Sequence, residues 1–85
     1  MTEIRVSYPM TAGDGRQVRA PILITTMHLL DRETAEHVWI AQAGDVILRG
    51  RDGLPRRFTC EAAAQDAARA FLEMLFPEPG QLEGQ

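Results

Sequence analysis

Residues 49–58 read Arg49-Gly50-Arg51-Asp52-Gly53-Leu54-Pro55-Arg56-Arg57-Phe58 and run straight into Thr59-Cys60-Glu61-Ala62-Ala63-Ala64-Gln65-Asp66-Ala67-Ala68-Arg69-Ala70-Phe71-Leu72-Glu73-Met74-Leu75. The first part reads as a tight hairpin and the second as an amphipathic helix. Strands followed by a single helix define an α+β domain. Asp-Gly between two short runs signals a hairpin, because a type I′ turn needs φ > 0 at both central residues. A two-residue loop at Asp52-Gly53 sets Arg51 opposite Leu54, Arg49 opposite Arg56 and Ile47 opposite Phe58. The base is then apolar, through Val46, Ile47, Leu48 and Phe58, and the tip is cationic. Like charges directly opposite are unfavourable. Either the Arg49 and Arg56 side chains splay into water or an anion sits between them.

The helix that follows takes Thr59 as its cap and carries Glu61 in its first turn, where a carboxylate suits the macrodipole. Ala64, Ala68, Phe71 and Leu75 form the buried seam, widened by Ala67 and Leu72. Glu61, Gln65, Arg69 and Glu73 step by four along the opposite face. Pro77 ends the helix, and the polar, unpatterned residues 77–85 read as a flexible C-terminal tail. The compact domain is residues 1–76.

Working back toward the N-terminus, Ile4, Val6 and Tyr8 alternate with Arg5 and Ser7, which is the period of a half-buried strand. Gly13-Asp14-Gly15 supplies a turn. Val18, Ala20, Ile22 and Ile24 then return with the same period, and Pro21 asks for an edge position or a bulge. This is an N-terminal β-hairpin. Residues 27–44 leave two readings open. In the favoured one, residues 31–34 connect two strands of a meander, with the aromatic and β-branched run Val38-Trp39-Ile40 in the second. In the other, Asp31 caps a second helix over 32–43, with Gly44 at its C′ position. The fold class in either case is a small antiparallel sheet packed against a C-terminal amphipathic helix.

Charge is unevenly spread. The chain carries −3 overall, yet residues 49–57 hold four Arg and one Asp, so the remaining residues sum to −6. All nine basic residues are Arg; Lys and Asn are absent, the signature of a GC-rich genome rather than of a function. The acidic balance argues against broad nucleic-acid affinity, which needs a basic face to release counterions. One cysteine permits no internal disulfide. No apolar run approaches membrane-spanning length, and Met1-Thr2-Glu3-Ile4-Arg5 is not a signal peptide. The expectation is a cytoplasmic protein with no membrane association.

The search for chemistry yields little. Cys60 falls in the first turn of the helix, where a thiol gains reactivity, but nothing ties His28 or His37 to it as a base. It reads as a small boundary residue. The meander register pairs Leu30 with Ala35 and sets His28 opposite His37. Two ligands without a third do not make a structural metal site, which takes four, and the pair reads as surface histidines. Neither glycine-rich turn has the spacing of a phosphate loop. The chain is read as a non-enzyme without cofactor or metal.

Residues 46–75, with Gly53-Leu54-Pro55-Arg56-Arg57-Phe58-Thr59 leading into an Ala-rich helix, resemble the arm-type DNA-binding domain of phage integrases. That resemblance implies nucleic-acid binding through the hairpin. The helix is also similar to the second helix of double-stranded RNA-binding domains. Where that family places Lys for phosphate contact, this chain has Thr59, Cys60 and Glu61, so the contact is not implied here.

Two functions follow as expectations. The first is a non-catalytic protein-interaction module that binds a protein partner or itself as a homodimer. Small domains enlarge their cores by pairing sheet edges or packing helices. By analogy of size and acidity it is an inhibitor or adaptor of the phage or mobile-element type, from a bacterium or a phage. The second is nucleic-acid binding by Arg49, Arg51, Arg56 and Arg57, supported by Arg5 or Arg19. Those four hairpin arginines are the candidate partner- or phosphate-binding residues.

Overall fold

The computed structural model describes residues 1–76, 78 and 80–82. The chain forms strands β1 (Thr2–Thr11), β2 (Gln17–Asp31), β3 (Glu36–Ala43) and β4 (Val46–Ile47), then helix α1 (Glu61–Leu75) and strand β5 (Gln81–Leu82). Four antiparallel strands in the order β4-β3-β2-β1 pack against the one helix, and β5 adds to the outer side of β1. This is an α+β fold.

The N-terminal hairpin forms as its alternation dictates. β1 and β2 pair from Thr2↔Thr26 to Thr11↔Gln17, with Ile4, Val6 and Tyr8 facing Ile24, Ile22 and Ala20. Pro21 sits in the part of β2 that β3 does not reach, since β3 pairs only with Ile24–Asp31. Its missing N–H therefore leaves no ladder bond unmade. The second helix over 32–43 does not form. β2 runs on to Asp31 and β3 returns from Glu36, so the meander holds. The connection is Arg32–Ala35, with Ala35 in the left-handed region at φ 57°. A one-residue shift of that loop moves the register by two: Leu30 pairs with His37 and His28 with Trp39. β3 then reverses through Gly44-Asp45, where Gly44 has φ 60°. Glycine at the first position of a two-residue loop is what a type II′ turn needs.

The Asp52-Gly53 turn differs from the type I′ expectation. Only Gly53 has positive φ, at 80°. The Gly53 N–H donates to Gly50 O (3.1 Å) and the Gly50 N–H to Leu54 O (2.9 Å). That is a three-residue loop, a type I turn closed by a glycine bulge. The register slips by one, so Arg49 faces Pro55 and the Arg49–Arg56 pair does not exist. The arms separate at once. Val46 and Ile47 pair with Ala43 and Gln42, and Phe58 bridges Trp39 through two 2.9 Å backbone bonds.

Val6, Tyr8, Ile24, Ala41, Ala43, Leu48 and Phe58 form the core with Ala64, Ala68 and Leu72 of the helix. Small residues on both layers let α1 lie close to β2 and β3. Cys60, not Thr59, is the N-cap residue, with extended backbone and no side-chain cap bond. Glu61 is held in the first turn, accepting from Thr2 Oγ1 at 3.1 Å and from Gln65 Nε2 at 3.3 Å. The seam runs through Leu72 rather than Leu75, which is 62% exposed. Phe76 leaves the helix in an extended conformation and lays its ring on Tyr8, centroids 4.5 Å apart.

The unpatterned tail expected over 77–85 is in part a strand. Gln81 and Leu82 pair with Ser7 and Val6. Arg19 fastens them, donating to Ser7 O and Ser7 Oγ and reaching Gln81 Oε1 at 3.4 Å. A Cβ on Gly80 would lie 2.6 Å from the Tyr8 ring and from Val6, so only glycine lets this segment approach. Residues 77, 79 and 83–85 lie outside the described residues.

Candidate functional site

The four hairpin arginines do not form one basic patch. Arg51 projects from the turn, exposed. Arg57 makes an ion pair with Asp31 at the far end of β2. Arg49 donates from Nη1 to Gly53 O at 2.9 Å, and Arg56 lies over the Phe58 ring, 4.9 Å from its centroid. Arg19 is occupied at the β1–β5 edge, on the other side of the sheet from the hairpin.

Arg49 and Arg56 instead share a groove of about 880 Å³ between β4 and the outer side of α1. Its walls are apolar: Val46 and Leu48 from the strand side, Ala67, Ala70, Phe71 and Met74 from the helix. Met74 is 84% exposed and Val46 49% exposed. Asp45 stands at one end. Sequence reasoning assigned Met74 no role, because a helical position three past Phe71 is ambiguous until the sheet's width is known. A smaller hollow of about 390 Å³ lies beyond the β3 edge, among Leu29, Val38, Ile40, Leu54, Pro55 and the Arg57–Asp31 pair.

Asp31 holds that end of the sheet. Its carboxylate accepts from the Glu33 N–H (2.9 Å) and the Thr34 N–H, and pairs with Arg57. The backbone N–H of Glu33 is the main cause of a pKa below the usual carboxylate value, against a smaller opposing effect of desolvation, with Thr34 and Arg57 adding to the lowering. At the other end, burial raises the Tyr8 pKa; Glu73 pushes the same way and Arg69 opposes.

His28 and His37 share one face, diagonal rather than opposite. Nε2 of His28 and Nδ1 of His37 are 2.7 Å apart, with both residues exposed. Trp39 adjoins His28, centroids 4.6 Å apart. Cys60 is exposed at the helix start. Among the described residues no three His, Cys, Asp or Glu converge as a metal cluster.

The fold and its surfaces define the class: a small two-layer α+β domain, with no helix among the described residues long and apolar enough to cross a membrane. No protein-family model, curated protein or solved structure matches the chain.

Proposed function

We propose that the protein is a non-catalytic interaction module, and that the groove between β4 and α1 docks an apolar segment bearing carboxylates on a protein partner. The observation behind this is the pairing of Met74, Phe71 and Val46 with the guanidinium groups of Arg49 and Arg56 in one groove. Apolar side chains of the partner fill the floor, and its carboxylates meet the two arginines. Arginine suits that role, since its planar fork donates bidentately to a carboxylate. Rim charges of this kind set partner choice and association rate more than affinity.

A photo-crosslinking residue placed at Met74 tests the reading in the native host. The expected adduct is a protein with an acidic, apolar segment, and the Arg49→Glu, Arg56→Glu double variant abolishes it while circular dichroism stays unchanged. An adduct to a second copy assigns the groove to a homodimer, and an adduct to nucleic acid replaces this reading with the hairpin–nucleic-acid one. No adduct, with a lone monomer in sedimentation, ends it.

A further inference from the structure

We propose that His28 and His37 form a chelating site for a divalent transition metal of the copper, nickel and zinc group. Neutral imidazole nitrogens are the ligands these ions prefer. The pair is built on a fixed frame. His28 pairs with Trp39 and His37 with Leu30 in the β2–β3 ladder, and Trp39 is itself held from the other side by Phe58. A site on strands is positioned more closely than one on loops.

The two nitrogens already stand 2.7 Å apart, ring planes within 16°. A metal 2.0–2.1 Å from each needs them about 2.9 Å apart in a square-planar site and about 3.4 Å in a tetrahedral one. Both side chains are exposed, and each ring turns from the hydrogen-bonded line to aim its nitrogen at a shared metal. The nitrogen that donates the present hydrogen bond passes its proton through solvent to the other nitrogen of the same ring. Two lone pairs then face the metal, with no net change in bound protons. No third protein ligand joins them among the described residues. The remaining positions are open to water or to a donor on a bound molecule.

Trp39 provides the readout, being the single tryptophan of the chain and in ring contact with His28. Copper(II) and nickel(II) titrations of the full chain are followed by Trp39 emission, and zinc(II) by the thermal midpoint. The expected result is saturable quenching and a raised midpoint, because the metal binds the folded chain, where both imidazoles converge, more tightly than the unfolded one. Removing either imidazole, as His28→Gln or His37→Gln, weakens binding roughly a hundredfold, the loss of a tethered second ligand. Electron paramagnetic resonance of the copper form reports two imidazole nitrogens in the parent and one in each variant. Affinity unchanged in either single variant, or one imidazole nitrogen in the parent, overturns the proposal.

Discussion

The chain makes the same turn twice, with opposite results. In Ala12-Gly13-Asp14-Gly15-Arg16 and in Gly50-Arg51-Asp52-Gly53-Leu54, the first N–H donates to the fifth carbonyl and the fourth N–H to the first carbonyl. In both, the aspartate accepts from the N–H two residues on, at 3.0 Å, and the glycine after it has positive φ, 88° and 80°. The first turn opens onto a ladder from Thr11↔Gln17 to Thr2↔Thr26. The second opens onto a single bridge, Arg49↔Pro55. A turn reverses the chain; the arms decide whether a ladder follows. Alternating β-branched residues carry the first pair of arms. In the second, β3 takes both arms, one through Val46 and Ile47 and the other through Phe58.

The largest effect should separate the arms. Ile24 is fully buried in β2, and Ile24→Ala is expected to cost about 2–5 kcal/mol in urea denaturation, a large share of the stability of so small a domain. Leu54, flanking the second turn and 61% exposed, should change stability by less than about 0.5 kcal/mol when replaced by alanine. Comparable losses at the two sites would break the distinction.

The turns themselves should respond alike. Gly15→Ala and Gly53→Ala each place a Cβ in the left-handed region, at a cost of about 1–2 kcal/mol by the same measurement. Neither meets a steric neighbour within 4 Å, so strain alone is being read. A negligible cost at Gly53 would mean that the second turn is held by its flanks instead.

The smallest effect concerns the third aspartate turn. Asp31 binds the Glu33 N–H as Asp14 and Asp52 bind theirs, and its pKa is lowered from 3.8. The unfolded chain takes up a proton at this position first as acid is added. The contribution of Asp31 is therefore present above the ordinary carboxylate value and is lost as pH falls through the lowered one. Thermal midpoints across that acid range should flatten in Asp31→Asn relative to the parent.

These turns also show what could be read in advance. β1, β2 and the meander were legible because a period of two with one buried face admits a single register parity. The His28–His37 contact survived an error in the loop for the same reason: a shift of two keeps both rings on one face. The hairpin at 49–58 was misplaced because Asp-Gly serves both the two-residue and the bulged three-residue loop. Only the φ of Asp52 separates them, and no residue type reports it. Gly44 entered only the alternative helical reading, as a helix ending, and the favoured meander assigned it no turn, since one glycine serves either purpose. β5 carries no pattern, as two residues are too few for one; its signal is Gly80, which becomes meaningful only beside Tyr8. The groove was out of reach because it depends on how far α1 overhangs β4.

The pairing of β5 with β1 also sets how the molecule yields to force. The strands are antiparallel, with Val6 beside Leu82 and Ser7 beside Gln81, so β1 followed back toward Thr2 and β5 followed on to Leu82 point the same way. Tension between them loads the cross-strand bonds one at a time, as in a zipper, because those bonds lie perpendicular to the strands. Peeling begins at Leu82 and passes Gln81, and Gly80 then lifts from the Tyr8 ring. The closing segment is thus a mechanically soft latch on an otherwise well-paired sheet.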